Sequence, residues 1–168
     1  MLKGCVDAYR ATRNPLALEM AKANAAFLRD HMAEGARLYR NYKEGKRTIP
    51  GFLDDYAHVI AGYVALYQVT FEEEWLHLAK AHVDHVLEHF VNKESDLLFY
   101  TSDEGEVLVR RKTERQDDVI PSSNAVMAHN LMSISTLMDL SSYKEKALGM
   151  LDMMLQDVIK LPTWHGTW

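Results

Sequence analysis

The densest chemistry in the 168-residue sequence lies in the stretch Gly51-Phe52-Leu53-Asp54-Asp55-Tyr56-Ala57-His58. Two adjacent carboxylates and a nearby imidazole are the side chains that proton transfer to and from a polar substrate requires. Leu53, Tyr56, Ile60, Tyr63 and Tyr67 recur at helical period and place this stretch at the start of a helix over about 53–69. At about 100° per residue, Asp54, Asp55, His58, Ala61, Gly62 and Ala65 share the side opposite the tyrosines, the pattern of a helix whose second face lines a lumen. An unperturbed imidazole titrates near neutrality, which suits His58 as an acid or base. Acids in a first helical turn also complement the helix dipole, so a structural role for Asp54 and Asp55 stands beside the catalytic one. Consecutive helical positions splay by about 100°, which makes the two a poor acid-and-nucleophile couple.

A second candidate centre starts at Pro121-Ser122-Ser123-Asn124. Proline followed by two hydroxyls marks a helix N-terminus, whose free N–H groups suit an anion or a sugar oxygen; simple capping is the competing account. His129 falls on the Ser122 side of that helix. Arg110, in the basic run Val109-Arg110-Arg111-Lys112, leads toward the same helix end. His82, His85 and His89 stand at i, i+3 and i+7 of another helix, a spacing that brings imidazoles together. They border Trp75, Leu78 and Val86 on one side and Asp84 and Glu88 on the other. They therefore read as a polar margin, and no metal or other cofactor is expected.

Lysine and arginine number 19 against 24 acids, a net charge of −5, so no basic stripe is available to neutralise nucleic-acid phosphates. No apolar run approaches the ~20 residues that cross a bilayer, and the first residues lack the apolar stretch of a signal peptide. The single cysteine, Cys5, excludes an internal disulfide. A soluble, cytoplasmic chain that binds neither nucleic acid nor membrane is expected.

The elements that must hold these residues are six helices, over about 2–12, 14–32, 53–69, 70–90, 122–140 and 142–159. Asn14 caps the second ahead of Pro15; Thr70 with Glu73 and Ser142 with Glu145 have the form of capping boxes for the fourth and sixth. Very short joints pair the helices into antiparallel hairpins over about 2–32, 53–90 and 122–159. Long, strand-like connectors separate the pairs. Leu97-Leu98-Phe99-Tyr100-Thr101 and Val107-Leu108-Val109-Arg110 about Asp103-Glu104-Gly105-Glu106 have the form of a β-hairpin insert. Repeated hairpins build a solenoid or a closed ring of helices, and three are half of a six-hairpin ring. The fold class expected is all-α, residues 1–168 forming a single partial α/α-toroid domain with a small β-hairpin insert. The flanks left open would be covered by a second copy, as a homodimer, or by the remainder of a longer protein.

Four stretches together, Gly51-Phe52-Leu53-Asp54-Asp55-Tyr56-Ala57, Phe99-Tyr100-Thr101-Ser102-Asp103, Val109-Arg110-Arg111-Lys112 and Ile120-Pro121-Ser122-Ser123-Asn124-Ala125, resemble the toroid part of the thioredoxin-domain proteins related to spermatogenesis-associated protein. That toroid is similar to N-acylglucosamine and cellobiose 2-epimerases and to six-hairpin glycosidases. The resemblance implies that Asp54, Asp55, Tyr56, Ser122 and Asn124 lie near a central cleft. Ser123 and Ala125 depart from the glycine and serine usual there. It implies a carbohydrate-active-type domain that takes a sugar-like small molecule, either binding it or isomerising it by acid–base chemistry. A non-catalytic ligand-binding or interaction module is the alternative. The epimerases use paired histidines, for which His58 and His129 are the candidates; the glycosidases use two carboxylates about 5–10 Å apart.

Overall fold

The computed structural model describes residues 1–105 and 111–168. Its helices are α1 (Leu2–Thr12), α2 (Pro15–Phe27), α3 (Leu53–Thr70), α4 (Glu73–His89), α5 (Ser123–Met138) and α6 (Ser141–Lys160). They pair as the hairpins α1–α2, α3–α4 and α5–α6, and α3 packs between α1 and α5. The odd-numbered helices thus form one layer and the even-numbered helices the other.

Each hairpin turns through two residues, Arg13-Asn14, Phe71-Glu72 and Asp139-Leu140. The first of each pair takes left-handed backbone, with φ of 56°, 58° and 54°. Its N–H bonds back to Tyr9, Tyr67 or Ser135, satisfying a carbonyl that the helix end leaves free. None of the three is glycine, so each turn holds a conformation that costs about 1–2 kcal/mol. Asn14 caps α2 as its sequence implies, accepting the Leu16 N–H at 3.0 Å. The two expected capping boxes do not form. Thr70 is the last residue of α3 and its hydroxyl donates to the Leu66 carbonyl, while Glu72 and Leu140 stand at the N-caps of α4 and α6. The left-handed residue reverses the chain, and the next helix begins from its position rather than from the nearest hydroxyl.

The small sheet falls in the first connector. Strands β1 (Ala33–Glu34), β2 (Arg37–Lys43) and β3 (Lys46–Pro50) are antiparallel in the order β1-β2-β3. Ala33 faces Leu38 and Tyr39 faces Pro50, and Gly35 and Gly45 supply the positive φ that the tight turns need. The second connector differs from its expected β-hairpin: Leu97–Thr101 forms no strand. Leu97 and Leu98 are fully buried, and Phe99 and Tyr100 donate to the Phe90 and Lys112 carbonyls. Its other expected strand, Val107–Arg110, lies outside the described residues. α2 continues through a wide π-type turn, Leu28–Met32, whose Asp30 and His31 carbonyls accept the Arg47 guanidinium of β3 at 2.9 Å each.

The core centres on α3, where Tyr56, Ile60, Tyr63 and Leu66 are fully buried. Burying each such side chain stabilises the fold by about 1.5–3 kcal/mol. The small residues of α3, expected to line a lumen, instead admit α1. A Cβ at Gly62 would meet Leu2 Cδ2 at 2.7 Å, and Arg10 donates to the Ala65 carbonyl. Among the described residues no helix is long and apolar enough to cross a membrane. Gly62→Ala is expected to lower stability in urea denaturation by about 1–3 kcal/mol despite the better helix propensity of alanine. Adding Leu2→Ala is expected to recover part of that loss, because it vacates the colliding atoms.

Candidate functional site

Alternation along β2 puts buried Leu38 and half-buried Arg40 on one face. The Leu38 N–H donates to the Tyr56 hydroxyl at 2.9 Å and docks the strand on the first turns of α3. Arg40 then reaches both acids: its Nη2 is 3.6 Å from Asp54 Oδ2 and its Nε is 3.2 Å from Asp55 Oδ2. The guanidinium lies over the Phe52 ring, 4.6 Å from its centroid, and Phe52 meets the Tyr100 ring at 5.2 Å. Asp55 accepts the Phe52 N–H at 2.8 Å, and Asp54 accepts the Asp55 N–H at 2.9 Å. The Phe52 N–H is a donor that a helix start leaves without a partner, and the Asp55 N–H also donates to the Phe52 carbonyl at 3.0 Å. Arg40 also borders an open concavity of about 550 Å³ lined by Phe27, Met32 and Tyr42.

Burial raises the Asp55 carboxyl above its ordinary range; the Phe52 N–H and Arg40 oppose the rise and the Asp54 charge adds to it. Tyr100 is pushed up as well, first by burial and then by Asp54. Burial works against the Arg40 charge, but the two carboxylates outweigh it. His58, on the same helical turn, is lowered by desolvation; Asp54 counters this and the N-terminal amine reinforces it.

The remaining candidates divide differently. Tyr56 is 1% exposed, and its ring stacks on His85 at 5.3 Å. Burial pushes its phenol up to about 12, so it stays protonated and serves to hold β2. Two of the N–H groups at the start of α5, those of Ser122 and Ser123, are already taken. Asp117 accepts that of Ser122 at 2.8 Å; Glu114 accepts the Ser123 N–H at 3.1 Å and its hydroxyl at 2.7 Å. Burial works against the Asp117 charge, yet the Ser122 and Thr167 N–H groups hold its carboxyl below the usual range. The Asn124 amide is buried and fully used: it accepts the Leu98 N–H at 2.8 Å and donates to the Leu98 and Glu114 carbonyls at 3.0 and 2.9 Å. Ser122 and Asn124 therefore position loops. His129 Nε2 lies 2.8 Å from the Thr167 carbonyl, and Arg110 is outside the described residues.

Among the described residues no hydrogen bond or ion pair joins the start of α5 to Asp54, Asp55 or His58. Farther along, Asn130, about two turns into α5, donates to the Ala57 carbonyl of α3 at 2.8 Å. Arg40 and Tyr100 are the members of the cluster that the sequence reading left out. The signal for Arg40 was its two-residue spacing from Leu38 in a strand facing the acids.

Layered antiparallel helical hairpins of this kind are the architecture of part of an α/α toroid. The sequence profile of the β-L-arabinofuranosidase GH127 catalytic domain matches residues 1–130, and the chain belongs to that family. It is 28% identical to spermatogenesis-associated protein 20 of Mus musculus over 172 residues, covering 94% of this chain and 22% of that protein. The chain thus spans about a fifth of the length of the relatives it matches. A D-mannose isomerase superposes with a TM-score of 0.71 at 18% identity, covering 95% of this chain and 40% of that one. The α-1,6-mannanase GH76A of Salegentibacter, seen with α-1,6-mannotriose as an inactive variant in which two consecutive aspartates are asparagine, gives 0.69 at 15% identity, covering 90% and 44%.

Asn124→Ala removes three buried hydrogen bonds and strands the Leu98 N–H, and it is expected to cost about 2–4 kcal/mol in equilibrium unfolding. His58 is expected to titrate below an ordinary imidazole by NMR. Asp54→Asn is expected to move its midpoint lower still, because the carboxylate that favours the charged ring is gone.

Proposed function

We propose that this chain carries a saccharide-binding, acid–base centre in which Asp54 and Asp55, held by Arg40, act on a sugar-like small molecule lying against Phe52 and Tyr100. The observation that carries this reading is the convergence of two adjacent carboxylates on one guanidinium beside two aromatic rings. Aromatic walls with a few polar groups are the usual composition of a small-molecule site. The raised Asp55 carboxyl suits a group that donates a proton, and His58 supplies a base one turn away. Membership of a glycoside hydrolase family supports the substrate class. So do the sugar-directed neighbours, one of them inactive with two consecutive aspartates replaced. Sugar isomerisation draws on the same acid–base groups.

A second reading has its own observation in favour: each acid already accepts a backbone N–H and meets Arg40. The cluster would then be an internal clamp between β2 and α3, and the chain a non-catalytic module.

Thermal denaturation with mannose, L-arabinose and glucuronate separates the two. A bound sugar at a hundredfold excess over its Kd stabilises by about 2.7 kcal/mol, and D54N and D55N are expected to abolish that response. No response to any sugar, with D54N and D55N altering stability alone, would establish the clamp.

A further inference from the structure

We propose that His85, His89 and Glu104 form a binding site for a divalent transition-metal cation of the zinc type. His85 and His89 stand one turn apart near the end of α4, with ring centroids 4.5 Å apart. The following loop brings Glu104 to them: His85 Nε2 is 3.5 Å from Glu104 Oε2, and His89 Nε2 is 4.0 Å from Glu104 Oε1. One ligand atom from each of the three lies within 4.8 Å of the others, so small side-chain rotations let a single ion reach all three.

Two further observations point to a ligand here. The His85 side chain is only 10% exposed, yet its Nε2 has no hydrogen-bond partner among the described residues. A buried polar atom left in that state is costly unless something binds it. Asp103 Oδ1 lies 2.9 Å from His89 Nδ1. A carboxylate on Nδ1 fixes the tautomer that leaves Nε2 free to bind, the arrangement found around metal-ligating histidines. Arg37 Nε, 3.7 Å from Glu104 Oε2, competes with the cation for this carboxylate. Two imidazoles and one carboxylate, without a thiolate, match the open zinc sites that keep a position for water or a ligand oxygen. The histidine spacing alone did not reveal this, because the third ligand comes from a loop after the helix. The site does not depend on the sugar reading.

The test is calorimetric titration of chelator-stripped protein with Zn²⁺, with Co²⁺ absorption as a second readout. Expected are a single saturable site per chain and the visible bands of four- or five-coordinate Co²⁺. H89Q and E104Q are expected to weaken binding by more than tenfold, and D103N by about 10-fold or more. H77Q, at the exposed histidine of the same helix, is expected to leave affinity unchanged. Circular dichroism melting verifies that each variant is folded; should H89Q unfold, E104Q, in a loop, carries the test. Absence of saturable binding to the unaltered protein, or binding that survives both H89Q and E104Q, would overturn the proposal.

Discussion

A helix wrapped on nearly every side has few places to keep a charge, and α3 is such a helix. It packs against α1, α4 and α5 and under β2, with Tyr56, Ala57, Ile60, Tyr63 and Leu66 withdrawn from solvent. Unpaired charges in that interior would be prohibitively costly, so polar chemistry is confined to its first turns. There the helix offers unsatisfied N–H groups, and Asp54 and Asp55 answer them. The acids then need a cation, which β2 delivers as Arg40. The site sits at a helix end because the rest of the helix is committed to the core.

Much of the layering was legible in the sequence because periodicity reports burial, and in α3 burial is the governing constraint. Asn14-Pro15 announced α2 by chemistry local to two residues. The turns at Phe71 and Asp139 were misplaced by a residue or two because their left-handed backbone is not carried by glycine, the residue that would have announced it. Leu97 and Leu98 looked like strand residues and are core residues in an irregular connector, since apolar composition records burial without revealing whether a neighbouring strand exists. Arg40 escaped notice because its partners are remote in sequence.

Family positions need not be ligand positions. The Pro-Ser-x-Asn stretch supported the resemblance, yet the Asn124 side chain is spent on Leu98 and Glu114 and the Ser122 and Ser123 N–H groups on Asp117 and Glu114. Those bonds tie the chain at 97–98 and 114–117 to α5, with Glu114 and Asp117 standing where a bound anion would. Tyr56 behaves alike, as the post on which β2 rests. Both cases separate residues that build a site from residues that would touch its ligand.

The widened turn at Leu28–Met32 has a mechanical consequence. Arg47 grips the Asp30 and His31 carbonyls, so β3 is riveted to the end of α2, and β2 is paired to β3 along Tyr39–Lys43. Arg40 rides on β2. Its alignment over Asp54 and Asp55 is therefore inherited from the first hairpin and transmitted through the sheet as through a stiff bracket. The second hairpin supplies the acids, and the connector that joins it to the first supplies their counter-charge. The electrostatic centre is thus a seam between two repeat units, and neither unit alone contains it.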